Sequence, residues 1–288
     1  MGIGGGGDVV GALAAAELLG GEAVVGGLTW ERRPVDPIPG PRLLAEVVGA
    51  EPLNAAVALC GPDTSGPGGF LFCESHVARA TGSKTVLVDP NPGPRAVAAA
   101  LDDAAQRLGC DRIVLLDVGG DVLAHGDEPG LASPLADAVL LACAAFLRTP
   151  CLGAVFGAGC DAELKPDEVR ARLDEVGTTG EETLSAEQLD RLEKVVVEVP
   201  TEASAMALRC ARGERGEVPI RQGRRNVLLT ELGGIVAWFD PSRAMDTAAR
   251  LAAIVRDARS LEEADALLEA RGIRTELAYE RDMAASEG

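Results

Sequence analysis

The sequence predicts a single α/β domain over residues 1–288, with a mostly parallel, doubly wound sheet flanked by helices. Short β-rich runs bounded by turn residues alternate with longer helical patterns, which is typical of strands joined by crossover helices. Hydrophobic residues make up 47% of the chain and aromatic residues only 3%, which indicates a core of Ala, Val and Leu suited to close packing of helices on a sheet. A chain of 288 residues is long enough to bury one large core of this kind.

The elements follow in order along the chain. A first helix is predicted over residues 9–19. Strands are predicted where apolar runs end at turn residues, at residues 23–28, 55–60, 84–88, 112–116, 151–156, 195–199 and 235–239. Helices are predicted between them at residues 95–108, 134–147 and 185–193. Ser242 and Ser260 are predicted N-caps of a C-terminal helical pair, and residues 242–288 are expected to pack on the domain as these helices and a charged tail.

Charge and cysteine usage restrict the partners and the compartment. The formal net charge of −18 disfavours nucleic acid and anionic membrane surfaces, because both require a basic face on the protein. The seven cysteines are odd in number and form no CxxC pair, which indicates reduced thiols in a cytoplasmic protein. Neither a signal peptide nor an unbroken apolar run of roughly 20 residues is visible, so we expect no membrane partner. The sequence does not fix the oligomeric state and leaves a homo-oligomer open.

Four glycines, Gly4, Gly5, Gly6 and Gly7, run directly into Asp8 and the first predicted helix. Glycines at a helix start leave backbone amides uncovered, and the helix dipole adds partial positive charge, so this loop is predicted to bind an anionic or strongly polar ligand. Such a loop normally follows a strand, but residues 1–3 are too short to predict one. Either the first strand is missing or another element takes its place.

An acidic loop follows the predicted strand at residues 112–116. Four carboxylates and one of the two histidines lie within residues 117–128. Carboxylates this close repel one another unless a cation or hydrogen-bond donors satisfy them, or unless one keeps a proton for acid/base work. We therefore expect Asp121, with Asp127 or Glu128, to act as general acid and base, and His125 to carry or orient the proton.

Two further readings of the acidic loop remain open. Its glycines, Gly119 and Gly120, are predicted to approach the ligand. If a metal is present, Asp121, Asp127 and Glu128 would be its ligands, and their hard oxygens would favour Mg²⁺, Ca²⁺ or Mn²⁺.

A third group of candidate residues follows the predicted strand at residues 151–156. Gly157 and Gly159 permit a close approach of the backbone to a ligand, and Asp161 could bind a ribose hydroxyl or a metal. An ordinary tight turn capped by Asp161 explains the same residues equally well. Since ligands bind at the carboxyl ends of strands in open α/β sheets, all three loops are expected to face one crevice.

The glycine loop and the acidic loop together resemble a known family. The run from Gly4 to Val10, then Gly119-Gly120-Asp121, and then His125-Gly126-Asp127-Glu128-Pro129-Gly130-Leu131 are similar to the DUF1152 family. The resemblance extends from the glycine loop to the predicted strand that contains Trp238. It implies a Rossmann-like, single-domain fold, and it implies no mechanism because the family has no assigned activity.

The function expected from these residues is that of an enzyme. It would act by acid/base chemistry, as a hydrolase, lyase or group-transfer catalyst, on a small polar metabolite that is anionic or nucleotide-like. A divalent-metal-dependent hydrolase and a non-catalytic module that binds or senses a metabolite are the alternatives. The clustered acids favour the enzyme, because simple binding rarely requires four carboxylates in one loop.

Overall fold

A computed structural model describes residues 1–287. Ten strands are present: β1 (Gly26–Leu28), β2 (Glu51–Pro52), β3 (Val57–Cys60), β4 (Thr85–Val88), β5 (Ile113–Val118), β6 (Cys151–Phe156), β7 (Gly180–Thr183), β8 (Gly216–Ile220), β9 (Arg225–Leu229) and β10 (Ile235–Phe239). Six of the seven predicted strands are confirmed with small changes at their ends. Four strands were missed, β2, β7, β8 and β9. The first three consist mostly of exposed residues, so no apolar run marks them.

Eleven α-helices lie between and after the strands in the described part of the chain: α1 (Asp8–Leu19), α2 (Cys73–Thr81), α3 (Pro94–Leu108), α4 (Pro134–Ala142), α5 (Pro166–Val176), α6 (Ala186–Val196), α7 (Ala203–Ala211), α8 (Pro241–Asp246), α9 (Arg250–Val255), α10 (Leu261–Glu269) and α11 (Glu276–Glu287). The predicted C-terminal helices are present, although the first of the pair is split into α8 and α9. Ser242 is not its N-cap, because Asp240 accepts the Ser242 and Arg243 amides at the start of α8. The Ser260 hydroxyl accepts a hydrogen bond from the Glu263 amide, which confirms Ser260 as the N-cap of α10.

The predicted strand at residues 195–199 is wrong, because α6 continues to Val196. Ser185 and Gln188 form a capping box that begins this helix, and its apolar face carries Leu189 and Leu192 into the core. Val195 and Val199 then pack against residues of α1 and α2. Val195 and Val199 are therefore buried between helices while Val197 is exposed, and a short apolar run of this kind cannot be distinguished from a strand by its pattern alone.

The strands form two four-stranded mixed sheets and one hairpin. The sheet orders are β1-β4-β3-β2 and β5-β6-β10-β7, and β8 pairs with β9. The pairs β1/β4 and β5/β6 are parallel, whereas the other named pairs are antiparallel. The prediction of a mostly parallel sheet is wrong. Strand β10 pairs with β6 in the antiparallel direction, after the chain has passed through α5, α6, α7 and the β8/β9 hairpin.

An extended segment, Met1 to Ile3, joins the two sheets. The Gly2 amide donates to the Gly26 carbonyl at 2.8 Å, and the Ile3 amide donates to the Leu116 carbonyl at 3.0 Å. Gly2 pairs with Leu116 in the parallel sense. These three residues therefore take the place of the strand that normally precedes a glycine loop, although they are too few for a pattern in the sequence to reveal them.

Helices cover both faces of the sheet. Side chains that alternate along β5, β6 and β10 enter two different apolar clusters, since Leu115 lies in one cluster and Leu116 in the other. The first cluster contains residues of α3, α4, α9 and α10, and the second contains residues of α1, α6 and α7. In residues 1–287 no helix is long and apolar enough to cross a membrane.

Helix α1 is held close to β5 by Gly11. A Cβ atom on Gly11 would lie 2.4 Å from Val118 Cγ2 and 2.6 Å from Leu116 Cδ2. We expect Gly11→Ala to lower the free energy of unfolding by about 1–3 kcal/mol through overpacking, even though alanine is the better helix former by about 1 kcal/mol. Urea unfolding measures this change.

Gly11→Ala should cost less stability in a Val118→Ala background than in the wild type, because that background lacks the nearest methyl group. A Gly11→Ala protein that is as stable as the wild type would show that α1 does not depend on this close approach.

Candidate active site

Six buried carboxyl groups meet where Met1 to Ile3, β5 and β6 end. We call them the acidic cluster: Asp8, Asp117, Asp121, Asp137, Asp161 and Glu163. Asp8 begins α1, and Asp137 lies in the first turn of α4. Asp117 lies near the end of β5, and Asp121 begins a 3-10 helix, Asp121–Leu123. The loop after β6 supplies Asp161 and Glu163. The carboxyl ends of these neighbouring strands thus place acids from distant parts of the sequence side by side.

The acidic cluster consists of two triads. In the first triad, oxygens of Asp8, Asp117 and Asp137 lie within 4.8 Å of one another. In the second triad, the same holds for Asp121, Asp161 and Glu163. Each triad therefore has the ligand types and the spacing that a divalent cation requires.

Backbone amides bind one oxygen of several of these acids. Asp8 Oδ2 accepts from the Gly4 amide at 2.9 Å, and Asp117 Oδ2 accepts from the Gly120 amide at 2.8 Å. Asp161 Oδ1 accepts from the Glu163 amide at 3.0 Å. Such bonds orient a carboxylate while leaving its second oxygen available to a ligand.

Glu163 is bound more fully than the other acids. Its Oε2 accepts from the Ala132 and Ser133 amides at 2.7 and 2.8 Å, and its Oε1 accepts from the Ser133 hydroxyl at 2.5 Å. Arg221 Nη2 lies 3.4 Å from the same Oε1. Glu163 therefore connects the second triad to the loop before α4 and to a guanidinium group.

Two oxygens of the acidic cluster have no hydrogen-bond partner. Asp121 Oδ2 and Asp137 Oδ1 are buried and receive no donor from the protein. Their side chains belong to residues that are only 4% and 2% exposed. A buried carboxylate oxygen without a donor costs free energy, so a proton or a cation is needed at each of them.

Burial raises the pKa of five of these acids. The pKa of Asp8 is raised to about 7 and that of Asp161 to about 8, in both cases mainly because the carboxylate is removed from water. Burial also raises the pKa of Asp117, Asp121 and Asp137 well above its usual value. After burial, the largest influence on Asp121 is the neighbouring charge of Asp137, so the two triads adjoin.

The glycine loop lies against the acidic cluster and leaves no room for a side chain at Gly4 or Gly7. A Cβ atom on Gly4 would lie 2.7 Å from Asp8 Oδ2, and one on Gly7 would lie 2.0 Å from Thr201 Oγ1. Two of the loop amides are already engaged, since Gly4 donates to Asp8 and Gly6 donates to the Trp30 carbonyl. Recognition of an anion by this loop therefore stays a prediction. Negative charge on the neighbouring acids would oppose the binding of an anion there.

Gly119 and Gly159 connect the ends of β5 and β6. The Gly159 amide donates to the Gly119 carbonyl at 2.7 Å, and a Cβ atom on Gly119 would lie 2.4 Å from Asp161 Cγ. Gly119 also has a φ of 140°, which favours glycine. Gly157 packs in the same way against Ala207. These glycines bring the carboxyl groups together, whether or not they also touch a ligand.

Arg32 supplies positive charge at the first triad, and the sequence analysis did not single it out. Its Nη2 donates to the Gly4 carbonyl at 2.7 Å, and its guanidinium lies 4.3 Å from the Trp30 ring centroid. Glu276, which lies 3.2 Å away, holds it from the other side. Arg32 is thus fixed next to the residue whose amide binds Asp8.

His125, Asp127 and Glu128 form a separate outer group. The Glu128 oxygens accept from the His125 and Gly126 amides at 2.8 Å each, and Arg172 donates to Glu128 at 3.0 Å. His125 Nε2 lies 3.1 Å from Glu175, and Asp127 is exposed. Burial and the charge of Arg172 lower the pKa of His125.

The outer group therefore does not contain Asp121. The three oxygen ligands predicted for a metal, Asp121, Asp127 and Glu128, do not form one site in the described residues, because Asp121 joins Asp161 and Glu163 instead. Asp137 and Glu163 were missed by the sequence analysis. For Asp137 a signal existed, since it is the single charged residue in the apolar run from Leu135 to Leu147 before Arg148.

Comparison with known proteins assigns the chain to a family. One family model, described as "Protein of unknown function (DUF1152)", matches residues 1–284. The chain belongs to the DUF1152 family. No curated protein and no solved structure matches it. The matched residues of this DUF1152 protein include the glycine loop and all six acids of the cluster.

The raised pKa of Asp161 predicts an unusual dependence of stability on pH. Between about pH 4 and pH 8 the folded state keeps a proton on Asp161 that the unfolded state has lost, so this group lowers the free energy of unfolding as the pH rises. Relative to Asp161→Asn, the wild type should lose about 1–3 kcal/mol of stability between pH 6 and pH 8 in the presence of a chelator. Denaturant unfolding of both proteins at several pH values provides the comparison.

The Asn variant is the control, because it keeps the shape of the side chain and the groups outside the cluster while removing the carboxyl group that titrates. A difference between the two proteins that stays constant over this range would mean that Asp161 is ionised throughout in the folded protein.

Proposed function

We propose that this DUF1152 protein is a divalent-metal-dependent enzyme that acts on a small anionic or nucleotide-like metabolite. The observation that carries the proposal is the pair of unpartnered buried oxygens, Asp121 Oδ2 and Asp137 Oδ1, within a cluster of six buried carboxyl groups. A divalent cation would satisfy both the oxygens and the charge.

The chemistry of the donors indicates which metal fits. The six side chains of the cluster offer only carboxylate oxygens, which suit Mg²⁺, Mn²⁺ or Ca²⁺ and not Zn²⁺. The hydrogen bonds that backbone amides donate to Asp8, Asp117 and Asp161 would fix these ligands in place. A cation bound there would polarise an oxygen of the substrate or lower the pKa of a bound water.

Charge explains why the substrate would be anionic. Without a cation the cluster would repel an anion, whereas with one it would attract an anion to the same place. Arg32 and Arg221 border the cluster and would bind negatively charged oxygens of the metabolite. The strand ends at which the acids lie are where open α/β sheets bind their ligands.

Acid/base catalysis without a metal is the second candidate. It is favoured by the pKa values of Asp8 and Asp161, which lie at about 7 and 8 and therefore close to neutral pH. A group whose pKa is near the working pH is best suited to exchange protons with a substrate. In that case these two residues, and not those of the outer group, would be the acid and base.

The remaining parts of the proposal rest on the architecture and the composition. Helices on both faces of the sheet and parallel pairs in each sheet support a Rossmann-like, doubly wound arrangement with antiparallel additions. The cysteine pattern supports a cytoplasmic location, and the charge of −18 supports a small molecule as partner and not nucleic acid or membrane.

The proposal predicts that Asp137→Asn impairs metal binding. In calorimetric titration of the chelator-treated protein with Mg²⁺ or Mn²⁺, we expect the affinity to fall at least about tenfold, because the variant loses one of the charged ligands. Asp127→Asn removes an exposed acid of the outer group and is the matched control, so its affinity should equal that of the wild type.

Turnover of a panel of phosphorylated metabolites and nucleotides, followed by mass spectrometry, should be supported by the same cations and lost in Asp137→Asn. A wild-type protein that binds neither cation would contradict the proposal, as would equal loss of affinity in the Asp127→Asn control.

A further inference from the structure

The two triads share two features. Each contains one buried oxygen without a donor, Asp137 Oδ1 in the first and Asp121 Oδ2 in the second. Each also contains an aspartate that accepts a backbone amide at one of its oxygens, Asp8 in the first and Asp161 in the second. A single cation bound to one triad would leave the unpartnered oxygen of the other triad without a partner.

Each triad also has its own guanidinium group. Arg32 donates to the carbonyl of Gly4, whose amide donates to Asp8 of the first triad. Arg221 lies 3.4 Å from Glu163 of the second triad. The positive charges are thus divided between the triads and do not converge on one of them.

The total charge agrees with two cations. The six carboxylates carry six negative charges when all are ionised; Arg221 offsets one, and Arg32 is shared with Glu276 outside the cluster. One divalent cation would leave at least two negative charges buried without compensation, whereas two would leave at most one. Because an uncompensated buried charge is strongly unfavourable, two cations are the occupancy that allows all six acids to ionise.

We infer that the acidic cluster is a two-cation centre, in which Asp8, Asp117 and Asp137 bind one divalent cation and Asp121, Asp161 and Glu163 bind a second one beside it. This inference rests on the proposed function, because it requires that the cluster bind divalent metal. Two adjacent divalent cations would stabilise the attacking and leaving oxygens of a phosphoryl group together, and with the bordering Arg32 and Arg221 this favours a phosphate ester as the substrate class.

Titration of the chelator-treated full-length protein with Mn²⁺, followed by electron paramagnetic resonance, tests the inference. We expect two Mn²⁺ bound per chain at saturation, with the signal broadened by spin coupling between neighbouring ions. Asp137→Asn and Asp121→Asn should each bind one Mn²⁺ less and should lose the coupling, whereas Asp127→Asn should bind two and keep it.

Each other outcome has a distinct meaning. One Mn²⁺ per chain in the wild type would overturn the two-cation centre and leave the proposed function standing. Two uncoupled Mn²⁺ ions would also overturn it, because the ions would not be neighbours. The absence of any bound Mn²⁺ would overturn both proposals. The wild-type stoichiometry and coupling decide the question even if a variant does not fold.

Discussion

Buried negative charge at the carboxyl ends of three adjacent extended segments is the constraint on which the rest of this structure depends. Six acids lie there with two nearby guanidinium groups and with two oxygens that no donor reaches. Burial and mutual repulsion favour the protonated form of such groups or drive them apart. Burial and the charge of Glu163 both raise the pKa of Asp8 and of Asp161. The surrounding backbone must therefore be rigid enough to hold the acids together.

The glycines provide that rigidity through close packing. Gly11 brings α1 onto β5, Gly119 allows the Asp161 carboxyl to lie against the backbone, and Gly159 joins the two strand ends. A side chain at these positions would separate elements that carry the acids. The glycine-rich character of the site thus has a structural explanation in the molecule, which is separate from any contact of these residues with a ligand.

Much of this arrangement could be predicted from the sequence because it depends on local patterns. Apolar runs located β5, β6 and β10, the Ser185 and Ser260 caps located helix starts, and the rule for strand ends predicted that the loops with Asp8, Asp121 and Asp161 lie near one another. The family assignment rested on the glycine loop and the acidic loop, and it is confirmed. Each of these inferences uses residues that are close together in the chain or a general property of open sheets.

The remainder depends on contacts between distant residues, which no local pattern contains. The direction of β10 is set by how the chain returns to the sheet after α5, α6, α7 and the β8/β9 hairpin, and Met1 to Ile3 are recognisable as sheet residues only beside Gly26 and Leu116. Asp137 interrupts an apolar helix and reaches the cluster only because α4 begins there. Conversely, Glu128 is close to Asp121 in sequence, but the His125 and Gly126 amides hold it in another place.

The most direct test of the account is anomalous X-ray scattering from crystals grown with Mn²⁺, measured at the manganese absorption edge. The account predicts anomalous peaks about 2.1 Å from Asp137 Oδ1 and from Asp121 Oδ2, one at each triad. Peaks at the outer group of His125, Asp127 and Glu128 with none at the acidic cluster would contradict it, because the unpartnered oxygens would then not be metal ligands.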